Sequence, residues 1–303
     1  MERNEAREPL GKGGERGRSP DTGRGGGTWG WLTDRPLLLE LFVVVNLAFL
    51  VADTWIAHEA NDFAHAAEYV PPIFSAVAAA VLAVALVGVM RRSDVGVPTG
   101  ALRIAGWIVG GASIVVGVVG LILHLEGQFF QETTLRSLVY SAPFAAPLSF
   151  AGLGFLLLMN RMVNPSGERW AGWILLLTLG GFVGNFALAL ADHAQNGFFF
   201  VTEWIPVAAA ALAVGYLITL FARRVSRPFL RAGFWVLGFE AAVGVAGLAL
   251  HVEPLLHASR AGLAEKFLYG APVFAPLLFP NLALLGALGL WDLDVKRRPG
   301  DPT

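Results

Sequence analysis

Four of the six histidines stand at matching points of the chain: His58, His124, His193 and His251. The stretch His193–Pro206 reads HAQNGFFFVTEWIP, and His58–Pro71 reads HEANDFAHAAEYVP. Both fit H-x-x-N-x-F-x-x-x-x-E-[YW]-x-P without a gap. GVVGLILHLEG around His124 returns as GVAGLALHVEP around His251, and YSAPFAAPLSF at Tyr140 returns as YGAPVFAPLLF at Tyr269. Neutral imidazole is the commonest protein metal ligand. Glu68 and Glu203, each ten residues after a repeated histidine, add carboxylate oxygens. The chain has no cysteine, which removes thiolate sites and iron–sulfur clusters. Met1, Met90, Met159 and Met162 lie away from these junctions, so no thioether copper site is expected. Nitrogen and carboxylate donors without sulfur suit Fe, Mn or Zn. The predicted ligands are His58, His124, His193, His251, Glu68 and Glu203, in one site or two symmetry-related ones.

A simpler reading competes. An imidazolium at a helix C-terminus gains about 0.3–1 kcal/mol from the dipole. That effect would accept Lys or Arg equally, and the histidine junctions hold almost none. Asn61 and Asn196 recur inside the same motif, and Glu126 and Glu253 form His-x-Glu with His124 and His251. A two-residue step on a helix turns side chains about 200° apart. Glu126 and Glu253 therefore reach the site only if Gly127 and Pro254 end their helices. Asp53, below His58, is a further supporting candidate. His65 and His257 have no counterpart and read as solvated loop residues.

These residues need helices to carry them. The chain is 55% hydrophobic and 15% charged, against about 25% charged in soluble domains. Eight apolar runs span about 36–57, 70–90, 104–124, 139–160, 170–192, 204–222, 232–251 and 269–291. Each is near the roughly 20 helical residues that cross a bilayer, and only helices satisfy their own backbone as single segments in lipid. Pro71, Pro143, Pro206 and Pro272 are expected near the starts of the even helices. The expectation is an all-α polytopic membrane protein, two parallel four-helix repeats at 31–163 and 169–297 related by a pseudo-twofold along the membrane normal. Residues 1–30, rich in Gly and Arg, read as a disordered tail.

Lys and Arg set the predicted orientation. Arg35, Arg91, Arg92, Arg103, Arg161, Arg169, Arg223, Arg224, Arg227, Arg231, Lys296, Arg297 and Arg298 fall on one side. Only Arg136, Arg260 and Lys266 fall on the other. Both termini are then cytoplasmic, in a plasma or inner membrane, with the His/Glu face outward. The net charge of −1 points to no nucleic-acid partner. The expected partner is the lipid bilayer.

Glu240, Asn46, Asn185 and Asn281 are intramembrane polar residues. Glu240 lies eleven residues before His251, with Asn46 and Asn281 as candidate partners. An ionisable residue at that depth is a functional candidate. Gly117, Gly120, Gly181, Gly184, Gly244 and Gly247 read as close helix packing. The leading expectation is a non-haem transition-metal centre, redox or hydrolytic. The alternatives are bis-histidine haem between helices 1 and 5 or 3 and 7, a cation- or proton-coupled transporter using Glu240, and a scaffold subunit. Walker, Rossmann, H-E-x-x-H and G-x-S-x-G patterns are lacking.

Overall fold

The computed structural model describes residues 30–91, 100–127, 129–140, 143–257, 265 and 272–297. The tail 1–29, Arg92, Arg260, Lys266, Tyr269 and Arg298 lie outside the described residues. Every element described is helical. The long helices are α1 (Arg35–Glu59), α2 (Val70–Arg91), α3 (Gly100–Glu126), α4 (Leu148–Met162), α5 (Glu168–Gln195), α6 (Trp204–Ala222), α7 (Arg227–His257) and α8 (Leu278–Lys296). Asp34 caps α1, accepting from Leu37 N at 3.0 Å, with Pro36 in the first turn where its missing N–H costs little.

Seven of these helices, some with an adjoining turn, are long and apolar enough to cross a membrane. The eighth expected span falls short. α4 has 15 residues, about 22 Å at 1.5 Å per residue, against a hydrocarbon core of about 30 Å. Proline is the cause. Pro143 and Pro147 cannot donate the bonds an α-helix needs, so the chain winds here in short turns. Ala146 N bonds Pro143 O, and Phe150 N bonds Pro147 O, both at 3.1 Å. α8 likewise starts late, at Leu278 and not near 269, after a 3-10 turn at Ala275–Leu277. Pro143 and Pro272 therefore precede their helices by a full turn.

Burial is reversed relative to a soluble protein. Val84 and Trp235 are 76% and 83% exposed, while Glu40 and Glu240 are 0% exposed. Apolar surfaces of this extent belong against lipid. Length, composition and burial together make this a membrane protein.

Two apolar cores form. Leu39, Val43, Leu82, Leu102, Val109 and Leu157 build the first from α1–α4. Leu175, Phe182, Ala210, Leu217, Leu237 and Leu290 build the second from α5–α8. In the first, α1 and α3 each pack on α2 and α4; in the second, α5 and α7 each pack on α6 and α8. Each odd-numbered pair therefore lies on a diagonal. α4 meets α5, and α1 meets α8. Asn46 and Asn281 close the latter contact with reciprocal amide bonds of 3.1 and 2.5 Å. They bond each other and not Glu240, neither of whose carboxyl oxygens has a hydrogen-bond partner.

The helix ends remote from the histidines carry ion pairs. Arg161, expected as an orienting surface charge, is instead buried against Glu40, its side chain 0% exposed. Asn160 Nδ2 also bonds Glu40, and Trp170 Nε1 bonds Asn160 Oδ1 at 3.0 Å, joining α1, α4 and α5. Asp292 pairs with Arg35 at 2.9 Å and with Lys296. Lys296 Nζ also donates to Gly167 O at 2.9 Å.

Candidate metal-binding sites

Each repeated loop begins where a helix must stop. After α1, Asp62 and Phe63 take φ of 54° and 46°; after α5, Gly197 and Phe198 take 68° and 51°. This left-handed conformation is uncommon for phenylalanine and costs energy. It brings Phe63 N to His58 O at 3.1 Å, and Phe198 N to His193 O at 3.0 Å. These bonds satisfy carbonyls that the helix end leaves open. The chain reverses and each phenylalanine ring returns over the aromatic residue six positions later. Phe63 stacks on Tyr69 at 4.2 Å, and Phe198 on Trp204 at 3.9 Å. That stack fixes the residue before the aromatic, Glu68 or Glu203, beside its histidine.

The resulting geometry recurs. His58 Nδ1 lies 3.7 Å from Glu68 Oε2, and His193 Nδ1 lies 3.7 Å from Glu203 Oε2. Both carboxylate oxygens are buried and lack a hydrogen-bond partner. The gap exceeds the 2.7–3.2 Å range of an N–H···O bond. It fits two donors on one ion, which at bond lengths of about 2.1 Å sit roughly 3–4 Å apart.

A second histidine stands by each pair. The His58 and His124 rings have centroids 6.4 Å apart at 86°, and His251 is an electrostatic neighbour of His193. His124 Nδ1 bonds Pro143 O at 3.0 Å, and His251 Nδ1 bonds Pro272 O at 2.9 Å. A carbonyl accepts, so Nδ1 carries the hydrogen and Nε2 keeps its lone pair. Metal-binding histidines are commonly oriented this way. Small residues bring the partners together. A Cβ on Gly120 would stand 2.9 Å from Pro147, and one on Gly247 would stand 3.1 Å from Pro276. Each glycine lies one turn before its histidine, so the close approach seats the ring on the proline carbonyl. Gly184, by contrast, has open space around it.

The histidines therefore pair α1 with α3 and α5 with α7, within a half. The haem alternative of the sequence reading paired α1 with α5 or α3 with α7. Diagonal packing inside each bundle is the reason for the difference.

Other candidates stay apart. Asn61 and Asn196 are exposed in the loops, and no side-chain bond of theirs occurs among the described residues. α3 stays helical to Glu126, and α7 continues through Pro254 to His257. Near its solvated end, α7 forgoes only the Pro254 bond to Leu250 O. Glu126 and Glu253, both exposed, therefore point away from His124 and His251. Asp53 is half-buried on α1, and no bond from it to a histidine occurs among the described residues. His65 is exposed. Among the described residues, no three His, Asp or Glu side chains already enclose an ion position; His124 stands off from the His58–Glu68 pair. Sequence reasoning missed the Phe63–Tyr69 and Phe198–Trp204 stacks, although the motif held their signal: aromatics fixed six residues apart.

No family model, curated protein or solved structure matches the chain.

Proposed function

We propose an integral membrane protein with two equivalent non-haem metal centres, one per four-helix half. In the first, His58 Nδ1, Glu68 Oε2 and His124 Nε2 are the ligands. In the second, they are His193, Glu203 and His251. Two histidines with one carboxylate suit Fe, Mn or Zn and leave open positions for water or substrate. The observation that carries this reading is the 3.7 Å nitrogen–oxygen gap, present in both copies with an otherwise unpartnered Oε2. His124 and His251 complete each set through Nε2, the nitrogen not engaged by the proline carbonyl. A redox or hydrolytic centre follows from the open positions.

α4 together with its proline turns completes an eighth crossing, and the two halves are related by a twofold along the membrane normal. The equal loop geometries support this. The arginine side faces the cytoplasm with both termini, and the histidines face outward.

Haem is a second reading, favoured by one measurement. Imidazoles on opposite sides of one iron have centroids about 6.3 Å apart, twice a bond of about 2.0 Å plus about 1.15 Å to the ring centre. The His58–His124 separation is 6.4 Å. Purification in mild detergent, then an optical spectrum with elemental analysis, separates the two. Stoichiometric metal without a Soret band supports the non-haem centres, a Soret band selects haem, and neither refutes both.

A further inference from the structure

Glu240 sits in the core of the second bundle, 0% exposed, with neither carboxyl oxygen bonded to a protein group. Across the same core, α5 presents Asn185, 4% exposed, whose Nδ2 also has no partner. Both continue buried stripes: Leu175, Thr178 and Phe182 on α5, and Leu230, Gly233 and Leu237 on α7. α6 turns Ala209, Ala210 and Ala213 to this core, and α8 adds Ala283. Helical rise puts Glu240 about 16 Å below His251 and Asn185 about 12 Å below His193. The first half lacks this pairing: Ser113 stands in place of Glu240 and Leu50 in place of Asn185.

A carboxylate this deep without a counter-charge is costly. Other titratable or charged residues of the packed helices lie towards their ends. They are Glu168, Arg169, Asp192 and His193 on α5, Tyr216 on α6, Arg227, Arg231, His251, Glu253 and His257 on α7, and Asp292, Asp294 and Lys296 on α8. Tyr216 bonds Phe229 O at 3.2 Å, and Asp292 is paired with Arg35 and Lys296. A metal cation needs several oxygen ligands, whereas these core faces bring one carboxyl group and one amide. A proton needs only the carboxyl. We propose that Glu240, with Asn185 across the core, is an intramembrane proton-binding site particular to the second half. The inference is independent of the metal centres.

The test is infrared difference spectroscopy of the full chain in lipid vesicles, wild type against Glu240→Gln. The expected result is a protonated-carboxyl band in the wild type only. It shifts in D2O, bleaches reversibly as pH is raised, and its midpoint moves in Asn185→Leu. Glu240→Ser, which copies the first half, should fold and lack the band even if Glu240→Gln proves unstable. A missing band, a band that neither exchanges nor bleaches, or bleaching driven by Na+ at constant pH would each overturn the proposal.

Discussion

His58 Nδ1 and Glu68 Oε2 lie 3.7 Å apart, and the separation is the same between His193 and Glu203. Nine intervening residues hold each pair, and the two segments share little beyond the motif. What they share is a left-handed phenylalanine and an aromatic stack, so that local fold is what sets the distance. A protonated imidazole paired with its carboxylate, with no ion, also fits this separation. Metal content separates the two.

Glu68→Gln should lower metal affinity at the first centre by about tenfold or more and leave the second unchanged. Titration of the stripped protein with Zn or Mn checks this, since one of two binding phases should weaken. Equal weakening of both phases would contradict two separate centres.

Gly120→Ala should push α3 from Pro147 and break the His124–Pro143 bond while the His58–Glu68 pair stays. The first centre should then lose affinity without loss of folded protein. The outcome is read by metal titration beside thermal unfolding in detergent. Unchanged binding would show that the proline carbonyl does not orient His124.

Glu40→Ala strands Arg161 in the core. Removing one partner of a buried pair costs about 3–5 kcal/mol, so the melting temperature should fall markedly. Glu40→Leu combined with Arg161→Met should recover most of it. A double variant no better than Glu40→Ala would contradict the pairing.

Sidedness is tested by cysteine labelling from outside intact cells. A membrane-impermeant thiol reagent should label Asn196→Cys and miss Ser226→Cys; the reverse pattern would invert the orientation.

Much of this was legible because the chain repeats itself. His58 and His193 could be matched with Glu68 and Glu203 by spacing alone. The helices followed from apolar length, since lipid demands it. Late starts at Leu148 and Leu278 were not legible, because prolines inside an apolar run do not reveal whether the helix begins before or after them. The expected helix ends beside His124 and His251 did not appear, because α3 stays helical to Glu126 and α7 runs through Pro254. Glu40 went unread inside its apolar run, because its partner Arg161 looked like a topology signal. Which histidines pair was not legible either, because the diagonal order of α1 and α3 depends on packing between helices distant in sequence.

The most direct measurement is metal content per chain, by elemental analysis, in the wild type, His193→Ala and the double variant His58→Ala/His193→Ala. The account predicts that the first substitution removes about half of the bound Fe, Mn or Zn and the second nearly all, with folding and membrane insertion intact. A wild type without stoichiometric metal, or variants that keep it, would contradict the account.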